Sequence, residues 1–303
     1  MSIERFKITN FNSTSVRMIQ HSNRILNEYA SIGLRMTLRQ LYYQLVISNI
    51  ISNGQRAYKR LGHLISEARL GGKVDWDHIE DRVRSPQKSD EFEGPKELMD
   101  RAIANYRLHR WEGQKNYIEL WVEKDALANV LWPLAEEFHV TLMVNRGYSS
   151  QSAMYESVHR FRSNTFEGQS PHLLYLGDFD PSGEDMVRDI TDRFEMYGYP
   201  MVVEKIALNL AQVRKYKLPP NPAKMSDPRA GKYVAAHGDE SWEVDALRPD
   251  ILQQMIRERL EKLVDRAVLA KILCQESRDR VRLRKAEKLL RSGEWMYQPR
   301  KNA

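Results

Sequence analysis

The sequence is poor in cysteine and has no long hydrophobic run. Its 303 residues include a single cysteine, Cys274, which excludes an internal disulfide framework and a zinc site built from cysteines. No segment reaches the roughly 18 consecutive apolar residues of a membrane-spanning helix, and the first thirty residues lack the apolar block of a secretory signal. We therefore expect an intracellular, cytoplasmic protein, which would associate with the nucleoid if its source is a bacterium or a phage.

The charge is distributed unevenly along the chain. Residues 1–73 contain 11 Lys and Arg against 3 Asp and Glu, a net charge of +8, whereas the remainder contains 36 against 38. The length and the 42% hydrophobic content allow a sizeable core and favour two domains. A basic block beside a part rich in carboxylates suggests that one part holds a polyanion and the other processes it. A basic surface that is merely solvated would give the same counts.

Three short helices are predicted within the basic block. Ser13, Thr14 or Ser15 can cap a first helix, whose apolar spacing near 3.6 ends at Gly33. Thr37 can cap a second helix, and a third runs from residue 55 to Gly71. Residues 73–76 are then expected to start a hairpin, and three helices followed by a strand pair are typical of a winged-helix domain. The third helix has a basic face that would either bind the DNA backbone or only be solvated. The candidate DNA-binding residues are Arg56, Lys59, Arg60, His63 and Lys73.

Two adjacent tyrosines in the second helix differ in their predicted orientation. Tyr42 belongs to the apolar stripe, whereas Tyr43 is rotated by about 100° from it and shares a face with Arg39. A tyrosine hydroxyl beside a guanidinium could attack a phosphate as a nucleophile. It could equally be a surface tyrosine that stacks on an arginine.

The second part of the chain alternates between predicted strands and helices. Residues 82–98 are rich in charge, proline and glycine and are the best linker, so we place the domain boundary at 98 and 99. Strands are predicted at 117–123, 140–144, 173–176 and 201–207, with helices between them, and Pro133 is expected to kink or interrupt the first of these helices. This order predicts a parallel α/β sheet. An irregular, proline-containing segment after residue 210 and two C-terminal helices, 250–274 and 278–292, complete the chain.

Three acids follow two of these strands. Asp178 and Asp180 are two residues apart and would point to the same side of an extended chain, and Glu123 ends another strand. Carboxylates that converge at the carboxyl edge of a sheet would hold Mg²⁺, or Mn²⁺ in its place, against a phosphodiester. Glu123 could instead shuttle a proton as a general acid and base. Each acid alone could also begin a turn or cap a helix.

These residues resemble a known family. The segment Asp178-Phe179-Asp180-Pro181-Ser182-Gly183, preceded by Glu123 and by Arg-Gly-Tyr-Ser at 146–149, is similar to the Toprim domain of type II topoisomerases, primases and related nucleases. The likeness is greatest to the A subunit of topoisomerase VI and to the meiotic double-strand-break protein of the same family. That family has a winged-helix domain before the Toprim domain and a catalytic tyrosine in an Arg-x-x-Tyr-Tyr motif, which the resemblance places on Tyr43.

The resemblance implies an α/β protein with an N-terminal winged-helix domain, residues 1–98, and a Toprim-like domain with C-terminal helices, residues 99–303. It also implies a homodimer on double-stranded DNA, in which the tyrosine of one protomer meets the metal site of the other. No ATPase subunit is encoded here, so ATP-coupled strand passage would need a separate partner. The chain looks like a reduced relative of the kind that phages and mobile elements carry.

The sequence therefore predicts Mg²⁺-dependent DNA cleavage by transesterification. Tyr43 is the expected nucleophile with Arg39 beside it, and Glu123, Asp178 and Asp180 form the expected metal site. One alternative is a Toprim nuclease that activates water on the metal. Another is a DNA-binding protein without catalysis, in which the acids only shape the fold.

Overall fold

The computed structural model describes residues 3–79, 89–145, 147 and 149–291. Its helices are α1 (Ser13–Ser31), α2 (Leu38–Ile47), α3 (Gln55–Leu70), α4 (Pro95–Asn105), α5 (Ala128–Phe138), α6 (Gln151–Asn164), α7 (Pro181–Met196), α8 (Leu210–Tyr216), α9 (Ala230–His237), α10 (Pro249–Leu263) and α11 (Arg266–Arg291). Its strands are β1 (Asn116–Val122), β2 (Thr141–Val144), β3 (Ser170–Leu176), β4 (Val202–Ala207), β5 (Asn221–Pro222) and β6 (Glu240–Ser241). None of the described helices combines the length and the apolar character that crossing a membrane requires.

The main sheet has four parallel strands in the order β2-β1-β3-β4, which confirms the predicted α/β class. The chain first moves outward from β1 to β2 and then returns past β1 to β3. The direction of winding thus reverses between β1 and β3, and open α/β sheets bind ligands in the crevice at such a switch point. Glu123 directly follows β1, and Gly177 and Asp178 follow β3. The topology alone therefore places these two acids at the carboxyl edge of neighbouring strands.

The two central strands are buried on both faces. Residues 118, 120–122 and 173–176 are apolar side chains with no exposed area. Phe161 of α6 meets Phe194 of α7 edge to face at 5.5 Å, so these two helices cover one face together. Gln253 of α10 donates to the carbonyl of Val130 in α5, at 2.6 Å. Continuous apolar runs are expected of parallel strands that are covered on both sides.

One charged residue lies inside this core. Glu119 of β1 has no exposed area, and both of its carboxylate oxygens accept hydrogen bonds from Arg160 of α6 at 2.8 Å. Trp121 Nε1 donates to the same carboxylate at 2.9 Å, and the Tyr117 hydroxyl donates at 3.2 Å. A buried carboxylate is tolerated when its hydrogen-bonding capacity is filled in this way.

The three N-terminal helices lie close to the predicted positions. Thr37 caps α2 in a capping box with Gln40, as the sequence predicts. Asn12, rather than a residue of 13–15, caps α1 by accepting from the Ser15 backbone N–H at 2.8 Å. Residues 73–76 do not form the expected hairpin strand, because the chain runs directly into a 3-10 turn at Trp76–His78. A returning strand at 80–88 would lie outside the described residues.

Several other boundaries differ from the predictions. Pro133 lies inside α5, which continues past it to Phe138. The irregular segment after residue 210 contains two short helices, α8 and α9. The break between the C-terminal helices falls at residues 264–265, well before the predicted 275–277, and α4 begins at Pro95, inside the predicted linker. A proline in the first turn costs no hydrogen bond, which is why the helix can begin there.

The chain divides into two compact units. The first comprises residues 1–85 and 117–262, and the second comprises 86–116 and 263–303. In the second unit, Arg110 and Glu276 form a buried ion pair at 2.7 Å. The predicted domains, 1–98 and 99–303, group the residues differently, and they remain a prediction.

Candidate metal and nucleophile site

Glu123 and Asp178 lie against each other at the switch point of the sheet. The backbone N–H of Asp178 donates to Glu123 Oε2 at 3.1 Å. The hydroxyl of Tyr175, which is buried in β3, lies 3.4 Å from the same oxygen. The backbone N–H of Glu123 donates to the carbonyl of Leu176 at 2.8 Å. The sheet itself therefore fixes the backbone from which both acids project.

Asp180 has a capping role beside these two acids. It is the N-cap of α7, and its Oδ1 accepts from the Gly183 backbone N–H at 2.6 Å and from the Ser182 hydroxyl at 3.0 Å. Gly183 is required here, since a Cβ on it would lie 2.2 Å from the carbonyl oxygen of Asp178. The cap that the sequence allowed as an alternative is thus formed, and it leaves Oδ2 of Asp180 without a hydrogen bond within the described residues.

A lysine that the sequence analysis did not single out lies at the centre of the site. Lys124 Nζ is 3.0 Å from Asp178 Oδ1, 2.8 Å from Glu243 Oε2 and 3.0 Å from Asp245 Oδ1. Burial alone would lower the pKa of Lys124, but these three carboxylates together raise it, so the side chain stays charged. Asp178 Oδ1 also accepts from the Val244 backbone N–H at 2.8 Å. We call Lys124, Asp178, Glu243 and Asp245 the lysine-centred cluster.

Backbone hydrogen bonds hold the segment that carries Glu243 and Asp245 against residues 178–180. Phe179 and Trp242 exchange N–H to carbonyl bonds of 2.8 and 2.9 Å in an isolated antiparallel bridge. The sequence signal for this pair of acids was present, because Glu243 and Asp245 are two residues apart as Asp178 and Asp180 are. The sequence does not mark Glu243 and Asp245 as candidate site residues, because no predicted strand ends just before residue 243.

Burial and crowding of negative charge raise the pKa of two of the candidate metal ligands. Burial is the larger cause for Glu123, and the charge of Asp180 adds to it. Burial raises the pKa of Asp178 to about 7, and it outweighs the opposing effect of Lys124. A further cation beside these carboxyl groups would stabilise their charged form and lower their pKa values.

Tyr43 is buried rather than exposed. Only 3% of its surface is accessible, so the predicted position off the core face is wrong, and both Tyr42 and Tyr43 belong to the core. Asn221 Nδ2 donates to the Tyr43 hydroxyl at 3.3 Å, and the Arg39 guanidinium lies 6.0 Å from the ring centre. Burial, together with the nearby charges of Glu243 and Asp245, raises the pKa of Tyr43 to about 12. The hydroxyl is therefore protonated at neutral pH.

Arg39 connects the tyrosine with the lysine-centred cluster. Its guanidinium pairs with Glu243 and lies 3.4 Å from Asp245 Oδ2. A cavity of about 300 Å³ opens beside this pair, and its walls include Arg39, Tyr43, Tyr58 and Glu243. We call Glu123, Asp178 and Asp180 the carboxylate edge. Arg39 joins Tyr43 to Glu243, and Lys124 joins Glu243 to Asp178, so Tyr43 and the carboxylate edge are linked within one chain.

The candidate DNA-binding residues of α3 are on the surface. Arg56, Lys59, Arg60 and His63 are exposed, as is Lys73 after the helix ends. Exposure suits contact with a phosphate backbone, and it suits simple solvation equally. In the segment 146–149, Arg146 and Tyr148 lie outside the described residues.

The carboxylate oxygens of the site are the type of ligand that a hard cation prefers, but the described residues do not form a complete set of metal ligands. Glu123 Oε1, Asp178 Oδ2 and Asp180 Oδ2 accept no hydrogen bond within the described residues, and such oxygens are the ligands that Mg²⁺ prefers. In the described part of the chain, no group of three or more His, Cys, Asp or Glu side chains is placed so that it could hold one metal ion. The Lys124 ammonium provides the positive charge beside Asp178 instead.

Comparisons with known proteins give no relative. No protein-family model, no curated protein sequence and no solved structure matches this chain.

Proposed function

We propose that the chain is a metal-dependent DNA-processing protein similar to the A subunit of topoisomerase VI, with a winged-helix part and a Toprim part. The observation that carries the proposal is the contact of Glu123 with the backbone of Asp178 at the switch point, at 3.1 Å. Two acids 55 residues apart in the sequence meet there, with Asp180 capping the adjoining helix. In open α/β sheets, ligands bind in the crevice at such a switch point.

The proposed reaction is a transesterification on the DNA backbone. The Tyr43 oxygen attacks phosphorus, a new phosphotyrosyl bond forms, and the bond from phosphorus to one sugar oxygen breaks. The tyrosine hydroxyl gives its proton to water, and the departing sugar oxygen takes up a proton. Glu123 could deliver that proton as a general acid instead of holding the metal. Mg²⁺ held by Glu123, Asp178 and Asp180 would supply positive charge for the transferring phosphate. Arg39 would hold a phosphate oxygen next to the tyrosine.

The DNA would be bound mainly through its phosphates. Arg56, Lys59, Arg60, His63 and Lys73 are exposed along and after α3 and are proposed to lie against the duplex. A homodimer would bring two such sites to the two strands, and a separate ATPase subunit would be needed for coupled strand passage. Binding through phosphates weakens steeply with salt, by about 0.9 in log K per unit of log salt for each phosphate contacted.

A second candidate is a Toprim nuclease in which water is the nucleophile. The burial of Tyr43 and its pKa of about 12 favour it, because a protonated hydroxyl with 3% exposure is a poor nucleophile until the pocket opens. In that reaction the carboxylates and Mg²⁺ would activate water, and Tyr43 would be structural.

The deciding experiment is a denaturing gel of the protein with supercoiled plasmid and Mg²⁺, probed for protein-linked DNA ends. The proposal predicts adducts with the wild type and none with Tyr43→Phe. Tyr42→Phe is the matched control, since Tyr42 is also buried and lines the same cavity. Its hydroxyl donates to Asn53 Oδ1 at 2.7 Å and accepts from the Gly54 backbone N–H, whereas that of Tyr43 accepts from Asn221. Cleavage retained in Tyr43→Phe without adducts would establish the water mechanism. DNA binding without cleavage by any variant, unaffected by EDTA, would reject both.

A further inference from the structure

A cavity of about 730 Å³ lies on the other side of α3 from the tyrosine pocket. Its walls come from the chain that precedes α1, the first turns of α1, residues 50–52 and part of α3 between Ala57 and Glu67. The preceding chain is tied down by two hydrogen bonds, in which the backbone N–H groups of Phe6 and Lys7 donate to the Leu70 carbonyl at 2.8 and 3.2 Å. The volume lies within the range of about 300–1,000 Å³ that small-molecule sites occupy.

The lining of this cavity combines apolar and basic side chains. Phe11, Met18, Ile50, Ile51 and Leu64 contribute apolar surface. The charged residues of the lining, Lys7, Arg60, His63 and Glu67, are basic with one exception. This combination suits a molecule that has an apolar body and one anionic group.

Two of the basic residues remain available for such a group. Lys7 is paired with Glu67 at 2.5 Å. Arg60 and His63, one turn apart on α3, form no ion pair within the described residues, and both are exposed at the cavity wall. A guanidinium presents several N–H donors to a carboxylate or sulfonate in a planar arrangement.

We propose that this cavity binds a small amphipathic organic anion, with its acid group on Arg60 and His63 and its apolar part on Met18, Ile50 and Ile51. The site is separate from the carboxylate edge and does not depend on catalysis. Because Arg60 and His63 also belong to the surface proposed for DNA, the bound anion and DNA compete for the same charges. Occupation by one then weakens the other by the same factor.

The test uses the fluorescent probe 1-anilinonaphthalene-8-sulfonate with the full chain. Saturable binding of one probe per chain is expected, with displacement by octanoate but not by equal concentrations of 1-octanol. Arg60→Gln should weaken probe binding about tenfold, which corresponds to about 1.4 kcal/mol. Lys59→Gln is the matched control, because Lys59 is exposed on the same helix but does not line the cavity, and it should leave probe binding unchanged.

A second pair of variants tests the cavity by its volume. Thr14→Trp places a large side chain on the lining and should abolish probe binding, whereas Ser13→Trp, on the same turn but outside the lining, should not. Circular dichroism checks that each variant is folded. Equal probe binding in all four variants and the wild type, or none in the wild type, would overturn the proposal.

The competition with DNA is measured by fluorescence anisotropy of a labelled duplex. Saturating probe should raise the apparent Kd of the wild type for DNA, whereas Arg60→Gln should show no such rise. A wild-type Kd that the bound probe leaves unchanged would refute the competition. If no variant binds DNA, the proposed function fails, while the probe titrations still decide whether the cavity is a site.

Discussion

Replacing Lys124 with methionine removes the cation from the lysine-centred cluster while keeping most of the apolar stem. In the wild type, the ammonium lies within 3.0 Å of Asp178, Glu243 and Asp245, and its side chain is 18% exposed. Removing one partner of a buried ion pair costs about 3–5 kcal/mol, because the remaining charge is left buried. Arg39 still pairs with Glu243 and Asp245, so we expect a loss near the lower end, about 3 kcal/mol.

The loss should depend on pH and on divalent cations. Without Lys124, the raised pKa values of Asp178 and Asp245 rise further, so the folded variant takes up protons that its unfolded chain does not hold. Its deficit should therefore be largest near pH ~8 and smaller near pH ~5. Mg²⁺ should restore part of the lost stability at the higher pH, because it binds the folded state and replaces the missing positive charge.

Urea unfolding followed by far-UV circular dichroism measures these differences. Lys115→Met is the control, because Lys115 is exposed, and its substitution should change stability by no more than about 0.5 kcal/mol. A loss below about 1 kcal/mol, or an equal loss at both pH values, would show that Lys124 does not balance buried carboxylates as described.

Two further predictions concern buried charges, and both are measured by urea unfolding. Arg160→Met should cost about 3–5 kcal/mol by leaving Glu119 buried and unpaired, and most of the loss should vanish when Glu119→Leu is added; an unchanged loss in the double variant would contradict this pairing. Because the folded pKa of Asp178 is raised to about 7, the folded protein holds a proton between about pH 4 and 7 that the unfolded chain has released, so stability should fall as pH rises through this window. Asp178→Asn should remove the part of that fall that Asp178 causes, which is on the order of 4 kcal/mol for about three pKa units, and an identical pH profile in the variant would refute it.

The sequence patterns predict which helices and strands exist better than they predict where each one begins and ends. Apolar runs identified β1 and β3 because both strands are buried on two faces, and Thr37 identified the beginning of α2 because its cap is formed by nearby residues alone. Composition predicts the start of a hairpin at residues 73–76, whereas the chain there enters a 3-10 helix that starts at Trp76. Strand formation depends on a partner, which four residues cannot specify.

The candidate site could be predicted where strand order controls it. Glu123 and Asp178 meet because β1 and β3 are neighbours at the switch point. The alternation of strands and helices predicts their parallel sheet, in which the acids converge if these two strands are adjacent. Lys124 and Glu243 could not be found in this way, since their contact depends on how a loop 119 residues farther along the chain packs against the sheet. Helical phase also does not predict that Tyr43 is buried. It identifies the apolar stripe of α2, whereas Tyr43 is covered by residues far along the chain, among them Asn221.

The proposed function requires that the carboxylate edge binds a divalent cation. Electron paramagnetic resonance of Mn²⁺ titrated into the protein measures this directly, since bound and free Mn²⁺ give distinct signals. We expect one saturable Mn²⁺ site per chain. Glu123→Gln or Asp180→Asn should abolish it, and Asp192→Asn, at an exposed acid on α7, should leave it intact. No saturable binding, or binding that survives Glu123→Gln unchanged, would contradict it.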